Sequence, residues 1–327
     1  MPSIEAQHYQ KLSGDMVECL LCPHLCRLKE GQTGICRVRK CLSKRLMTTG
    51  YGEISSIALD PIEKKPLYHY HPGSHILSVG SFGCNLGCVF CQNYSIAHYN
   101  PETRFLPPQD LVNLAGKCRG QGSIGVAFTY NEPTVSYEYL LAAAPRLQDQ
   151  GLKTVLVSNG YMTKNALKEL LPWIDAVNID VKAFREEFYR RYCKAELRPV
   201  KENVEYLMDK IHVEITTLII PGLNDDPGEI GDLSRWLADL NRNTALHLSR
   251  YHPAYKMDLP PTSGAALRAL REQAREHLNH VYVGNLPGES NDTHCLACGQ
   301  VLVKRDGYQV QTSGISQGKC SKCQTAI

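Results

Sequence analysis

Between residues 74 and 285 the chain alternates short apolar runs with longer stretches whose apolar positions recur at helical spacing. The short runs lie at 75–80, 124–130, 153–158, 176–181, 212–220, 245–250 and 281–284, and each is almost continuously apolar, as parallel strands covered on both faces are. The helical stretches lie at 135–148, 164–171, 201–209, 229–240 and 265–279. Gly151 follows the first and Thr163 precedes the second, a stop signal and a cap signal. Such alternation predicts an α/β chain built as a (β/α) barrel, whole or partial, with a doubly wound open sheet as the alternative. Residues 1–73 and 286–327 read differently. They are rich in Cys, Gly and turn residues and lack long helical periodicity. Segments of that size bury too little apolar surface to fold unaided, and metal ligation is the usual remedy. The expected organisation is a Cys-rich N-terminal extension over 1–73, a barrel over 74–285 and a small C-terminal module over 286–327.

Composition narrows the class. The 327 residues carry a formal net charge of +3, too balanced for a nucleic-acid or membrane-surface binder. Hydrophobic residues make up 43%, enough for a real core, and no apolar run is long enough to span a bilayer. The first ten residues show no basic region followed by an apolar stretch, so a cytoplasmic location is expected. The distinctive number is the 14 cysteines, which are clustered. Five lie from Cys19 to Cys41, three from Cys84 to Cys91 and four from Cys295 to Cys323, leaving Cys118 and Cys193 alone. In a reducing compartment such clusters point to metal ligands rather than disulfides, and the two isolated cysteines to buried small hydrophobes.

Cys84-Asn85-Leu86-Gly87-Cys88-Val89-Phe90-Cys91 follows the first expected barrel strand with C-x3-C-x2-C spacing. Three thiolates so placed can ligate three irons of a [4Fe–4S] cluster and leave the fourth without a protein ligand. Zinc sites favour paired C-x2-C knuckles with four ligands, so three zinc-bound or free thiols are the weaker reading. Strand C-termini are also where barrels place their chemistry. The motif resembles that of the radical SAM superfamily. The resemblance implies a partial (β/α)6 barrel whose cluster binds S-adenosylmethionine (SAM) and cleaves it reductively to a 5′-deoxyadenosyl radical. It further implies an external electron donor of the flavodoxin or ferredoxin type.

Other segments resemble the branch typified by pyruvate formate-lyase activating enzyme. Thr129-Tyr130-Asn131-Glu132-Pro133 stands where that branch has Gly-Gly-Glu-Pro, which implies a SAM-binding role for Asn131 and Glu132. Capping of the next helix is the competing role. Val157-Ser158-Asn159-Gly160 matches Asp-Thr-Asn-Gly in part, implying Ser158 and Asn159. Asp180-Val181-Lys182 matches Asp-Leu-Lys; its alternate residues share a strand face and are the candidates for a catalytic or SAM-binding role, or form a structural ion pair. Phe90 holds the position of the aromatic near the adenine, and His252 in Tyr251-His252-Pro253 that of the imidazole beside it. Thr216 stands where the activating enzyme has an arginine, and Ile220-Pro221-Gly222 matches the end of its fifth strand.

The flanks complete the inventory. Cys295-x2-Cys298 and Cys320-x2-Cys323 bracket a β-rich insert and read as a zinc ribbon, with a rubredoxin-like iron or a second cluster as alternatives. Cys19, Cys22, Cys26 and Cys36 suit zinc or a second [4Fe–4S] cluster, with zinc the first choice. With Pro23, His24 and Gly34, and with Gly284-Asn285-Leu286-Pro287-Gly288 before the ribbon, they resemble the AmmeMemoRadiSam-system radical SAM enzymes along nearly the whole chain. That resemblance implies association with Memo-like and AMMECR-like proteins. Three functions follow as expectations. Hydrogen abstraction from a small molecule ranks above abstraction from a glycine of a partner protein, because no peptide-binding element is legible. A non-catalytic zinc-binding interaction module ranks last.

Overall fold

The computed structural model describes residues 3–327. Its centre is an eight-stranded sheet: β1 (Ser56–Pro61), β2 (His75–Gly80), β3 (Ser123–Phe128), β4 (Lys153–Ser158), β5 (Ala176–Asp180), β6 (His212–Ile219), β7 (Ala245–Arg250) and β8 (His280–Gly284). Strands β2 to β8 run parallel, and β1 pairs antiparallel with β2 on the outer edge. Each parallel strand neighbours the next in chain order. A doubly wound sheet reverses strand order at a switch point, and this sheet never does. Crossovers of one hand in one direction put the helices on one face and curl the sheet round the other, which is a partial barrel. The (β/α) barrel reading is thereby established, and the open-sheet alternative falls.

Six helices cover the outside: α1 (Pro108–Lys117), α2 (Tyr137–Asp149), α3 (Lys164–Leu170), α4 (Leu197–Leu207), α5 (Pro227–Asn241) and α6 (Gly264–Arg275). Helix α1 packs on α2, and α5 on α6. The alternation had not indicated α1, which opens on Pro108 and buries only Leu111, Val112 and Ala115. Helix α4 begins four residues before the expected 201, because Pro199 sits in its first turn, where a missing N–H costs nothing. Ser263 caps α6 by accepting from the Ala266 N–H, and Asp226 caps α5 from Glu229.

The flanks form small sheets. Tyr9–Leu12, Met16–Cys19 and Arg27–Leu28 make one, and Ile4–Glu5, Arg45–Thr48 and Arg39–Leu42 another. They dock on the barrel: Thr163 donates its N–H to the Leu21 carbonyl at 2.9 Å and its hydroxyl to the Leu20 carbonyl at 2.8 Å. Buried Arg39 pairs with buried Glu138 on α2. At the other end Thr293–His294, Val301–Asp306 and Gln309–Gln311 form a three-stranded sheet, with Ile315–Ser316 paired to Lys319–Cys320. Between β1 and β2, residues 62–74 cross the N-terminal end of the barrel as a strap. Glu214 of β6 anchors it by accepting the Tyr68 and His69 N–H groups at 2.9 and 2.8 Å. Among the described residues no helix is long and apolar enough to cross a membrane, and no cysteine is in a disulfide.

Candidate active site

All seven parallel strands deliver residues to one cavity of about 230 Å³ at their C-terminal ends. Cys84, Cys88, Phe90 and Cys91 come from the loop after β2, Thr129 to Glu132 from beyond β3, and Val157 to Asn159 from the end of β4. Asp180 and Lys182 follow from β5, Thr216 and Leu218 from β6, Ser249 from β7 and Asn285 from beyond β8.

The cysteine loop is braced by main-chain bonds. Gly87 donates to the Cys193 carbonyl at 2.7 Å, Val89 to the Tyr192 carbonyl at 3.1 Å, and Gly83 to the Ile96 carbonyl at 2.9 Å. Gly83 needs its φ of +82°, and a Cβ there would meet a Val38 methyl at 2.4 Å and the Cys36 carbonyl oxygen at 2.5 Å. Burial, with the charge of Glu132 next, pushes the Cys84 thiol far up, while the adjacent Cys193 thiol and burial do the same for Cys88. Burial and the Cys88 charge raise Cys91 to about 11. Without a metal to replace their protons these thiols stay neutral, so loading them releases protons.

Side chains expected at SAM line the cavity and also bond to the protein itself. Asn131 accepts the Ser81 N–H at 2.9 Å and donates to the Phe82 and Gly83 carbonyls, both at 3.1 Å, stapling the chain just before Cys84. Glu132 caps the turn after it, accepting the Thr134 N–H at 2.9 Å and the Thr134 hydroxyl at 2.6 Å. It also accepts the Ser158 hydroxyl and the Asn159 N–H, both at 2.8 Å. Burial raises its pKa, and those donors draw it part of the way back. Asn159 donates to the Asn85 side chain at 2.8 Å and approaches the Cys84 sulfur at 3.7 Å. Tyr130 adopts φ +68°, the left-handed conformation that glycine favours, and donates its hydroxyl to Asp60 at 2.6 Å.

Asp180 and Lys182 form an ion pair facing the cavity. Burial alone would lower the Lys182 pKa, but the charge of Asp180 and its hydrogen bond raise it above that of ordinary lysine. Asp180 Oδ1 and Thr216 Oγ1 are buried without a partner, so this wall has an acceptor and a hydroxyl to spare. Phe90 is 2% exposed and packs on Phe188 with ring centroids 5.7 Å apart. His252 is not brought to this cavity. It is exposed and lines an adjoining cleft of about 1140 Å³ between the barrel and the C-terminal sheet. The two spaces share Gln92 and Asn285. Sequence reasoning missed Ser249, Asn285 and the packing of Cys193 on the cysteine loop; proximity to strand ends could have signalled the first two, and nothing in the sequence signals Cys193.

Three neutral thiols on a cavity wall, beside unpartnered polar atoms, suit a cluster with an open iron and a polar ligand bound to it. At the C-terminus, Cys295, Cys298, Cys320 and Cys323 are the one group of three or more metal-ligating side chains, among the described residues, whose ligand atoms all lie within 4.8 Å. Cys295 and Cys323 stand 3.6 Å apart and Cys298 and Cys320 3.7 Å, close to the edge of a tetrahedron about one ion.

Such a fold and site define a barrel enzyme with a metal cluster at its strand C-termini. Residues 78–233 match the model of the family described as the radical SAM superfamily. The chain is 40% identical over 309 residues to an uncharacterized protein of Methanocaldococcus jannaschii, covering 92% of this chain and 91% of that one. The chain belongs to the radical SAM superfamily and is a radical SAM enzyme. Pyruvate formate-lyase-activating enzyme of Clostridium pasteurianum is a distant relative, 23% identical over 180 residues, covering 52% of this chain and 72% of that one. A radical SAM methyltransferase from Sphaerobacter thermophilus shares the fold at a TM-score of 0.50 and 17% identity, covering 65% of this chain and 67% of that one.

Proposed function

We propose that the protein abstracts hydrogen from a small molecule that reaches the central cavity through the adjoining cleft. The observation carrying this reading is that Gln92 and Asn285 line both spaces, so the cleft adjoins the cavity. The cleft is of the order of a small-molecule site, which typically spans about 300–1,000 Å³. Cys84, Cys88 and Cys91 would hold a [4Fe–4S] cluster, which when bound would supply the one-electron chemistry for reductive cleavage of SAM. The chain's own residues supply position. Asn131 and Asn159 fix the cysteine loop, and Glu132 ties the ends of β3 and β4 together beneath it. Asp180 and Thr216 offer polar atoms to the methionyl end of SAM, and Phe90 offers an apolar face. Lys182, held charged by Asp180, keeps a proton donor at the mouth. A place beside Memo-like and AMMECR-like proteins fits the N- and C-terminal motifs.

The test is anaerobic reconstitution, reduction in the presence of SAM, and measurement of 5′-deoxyadenosine. The nucleoside should form and vanish in Cys84→Ala. Its absence from a preparation with a full cluster, in cell extract as well as in buffer, would overturn SAM cleavage. A persistent glycine-centred doublet on an added protein partner would overturn the small-molecule assignment and favour a glycyl-radical activating role.

A further inference from the structure

Cysteines gather at three places in this molecule, and their spacing divides them. The C-terminal four fit round one ion, with opposite pairs at 3.6 and 3.7 Å. Cys19, Cys22, Cys26 and Cys36 also wall a single pocket, shared with Arg39 and Asn85. Yet among the described residues no three of these four bring all their ligand atoms within 4.8 Å. The same is true of Cys84, Cys88 and Cys91. A single zinc ion with bonds of about 2.3 Å holds its sulfurs roughly 3.8 Å apart. A cubane places four irons and four sulfides between the thiolates, so these stand farther apart. Like the central set, and unlike the ribbon, the N-terminal four are spaced too widely to close round a single ion as they stand.

The pocket wall carries a second sign. Arg39 is 1% exposed, its Nη1 approaches the Cys19 sulfur at 3.8 Å, and its Nε has no hydrogen-bond partner. Its charge is paired with Glu138, but the unpartnered Nε–H is a donor of the kind a sulfur-rich anion requires of its surroundings. His24 is not a competing ligand through Nε2, which bonds the Asn85 carbonyl at 2.7 Å.

We propose that Cys19, Cys22, Cys26 and Cys36 hold a second [4Fe–4S] cluster, closed by four protein thiolates, in place of zinc. It lies against the open one. Residues on both sides of Cys84 face the N-terminal segment: Asn85 lines the pocket and accepts from His24, Phe82 packs with Val38 and Cys36, and a Cβ on Gly83 would strike Val38 and the Cys36 carbonyl. Each cluster takes one electron, from the 2+ to the 1+ state, from an external one-electron donor of the flavodoxin or ferredoxin class. With both reduced, their unpaired spins lie close enough to broaden each other's resonance.

Metal analysis and low-temperature spin resonance of the anaerobically reconstituted full chain decide the matter. The expected wild-type content is roughly eight irons per chain, and the Cys84/Cys88/Cys91→Ala variant keeps roughly four with a reducible [4Fe–4S] signal. Replacing Cys22 and Cys36 by Ala removes that second half and narrows the remaining signal. Four irons and two zincs in the wild type would overturn the proposal, and that count needs no variant to fold. The iron count is also independent of nucleoside formation, so failure of the SAM reading leaves this result standing.

Discussion

Asn131 shows how a residue at a functional motif can serve the site from behind. Its amide satisfies one N–H and two carbonyls of the segment that delivers Cys84. In Asn131→Ala those groups stay buried and lose their partner, which costs about 3 kcal/mol and loosens the cysteine loop. The expected result is a lower melting temperature together with reduced iron retention on gel filtration. A drop in melting temperature with iron retention unchanged would mean that the staple supports the fold alone. The three central cysteines were legible because C-x3-C-x2-C spacing is itself the ligand geometry. The braces around them were not, since a motif shows residue types and conceals their partners. Glu132 was placed at SAM by its motif, and the structure gives its carboxylate four donors from the chain itself. His252 was placed there too, and the structure gives it an exposed position lining the adjoining cleft.

Among the elements, β6 does more than supply a strand. Buried Glu214 bonds the strap's main chain and also His212 and His247, at 2.9 and 2.7 Å. Burial opposes its ionisation, but the two histidine bonds and the charge of His247 hold its pKa well below the ordinary value. His69 on the strap moves the same way for a different reason, as burial lowers it to about 3. Both shifts are downward, so both groups bind protons more readily in the unfolded chain, and stability is lost on acidification. His69 contributes first, below its unfolded pKa near 6.5, and Glu214 follows below about 4.5. Between pH 7.5 and pH 5 the loss from His69 amounts to about 2 kcal/mol. The check is thermal unfolding across that range, with His69→Gln expected to flatten the decline and an unchanged slope counting against this assignment. The strands themselves were readable because buried parallel strands are apolar throughout. Helix α1 escaped because its apolar face is narrow, and the N-terminal strands because two to four residues carry no periodicity.

At the scale of the molecule the ribbon has its own small core of Cys295, Leu302, Val303 and Cys320. It joins the barrel through Arg305, which donates to the Tyr68 carbonyl at 2.6 Å and lies 4.4 Å from the Tyr68 ring centroid. A core of two buried cysteines and two buried aliphatic side chains cannot hold such a module without metal. Replacing Cys298 and Cys320 by Ser should make residues 286–327 cleavable by trace protease while the barrel keeps its iron. Loss of barrel and ribbon in one step would instead show a single cooperative unit. The sheet's own geometry gives this join a further meaning. Strands β1 and β8 are both edges and never meet, so hydrogen bonding alone does not close the ring. What lies along β8 is the strap and the ribbon, met at Tyr282, whose hydroxyl contacts His69 at 2.7 Å and Thr293 at 2.8 Å. The cleft beside the cavity is walled in part by the ribbon, through Lys304 to Tyr308, so a change of sequence in the ribbon reshapes that wall while the cysteine loop at the barrel mouth stays as it is.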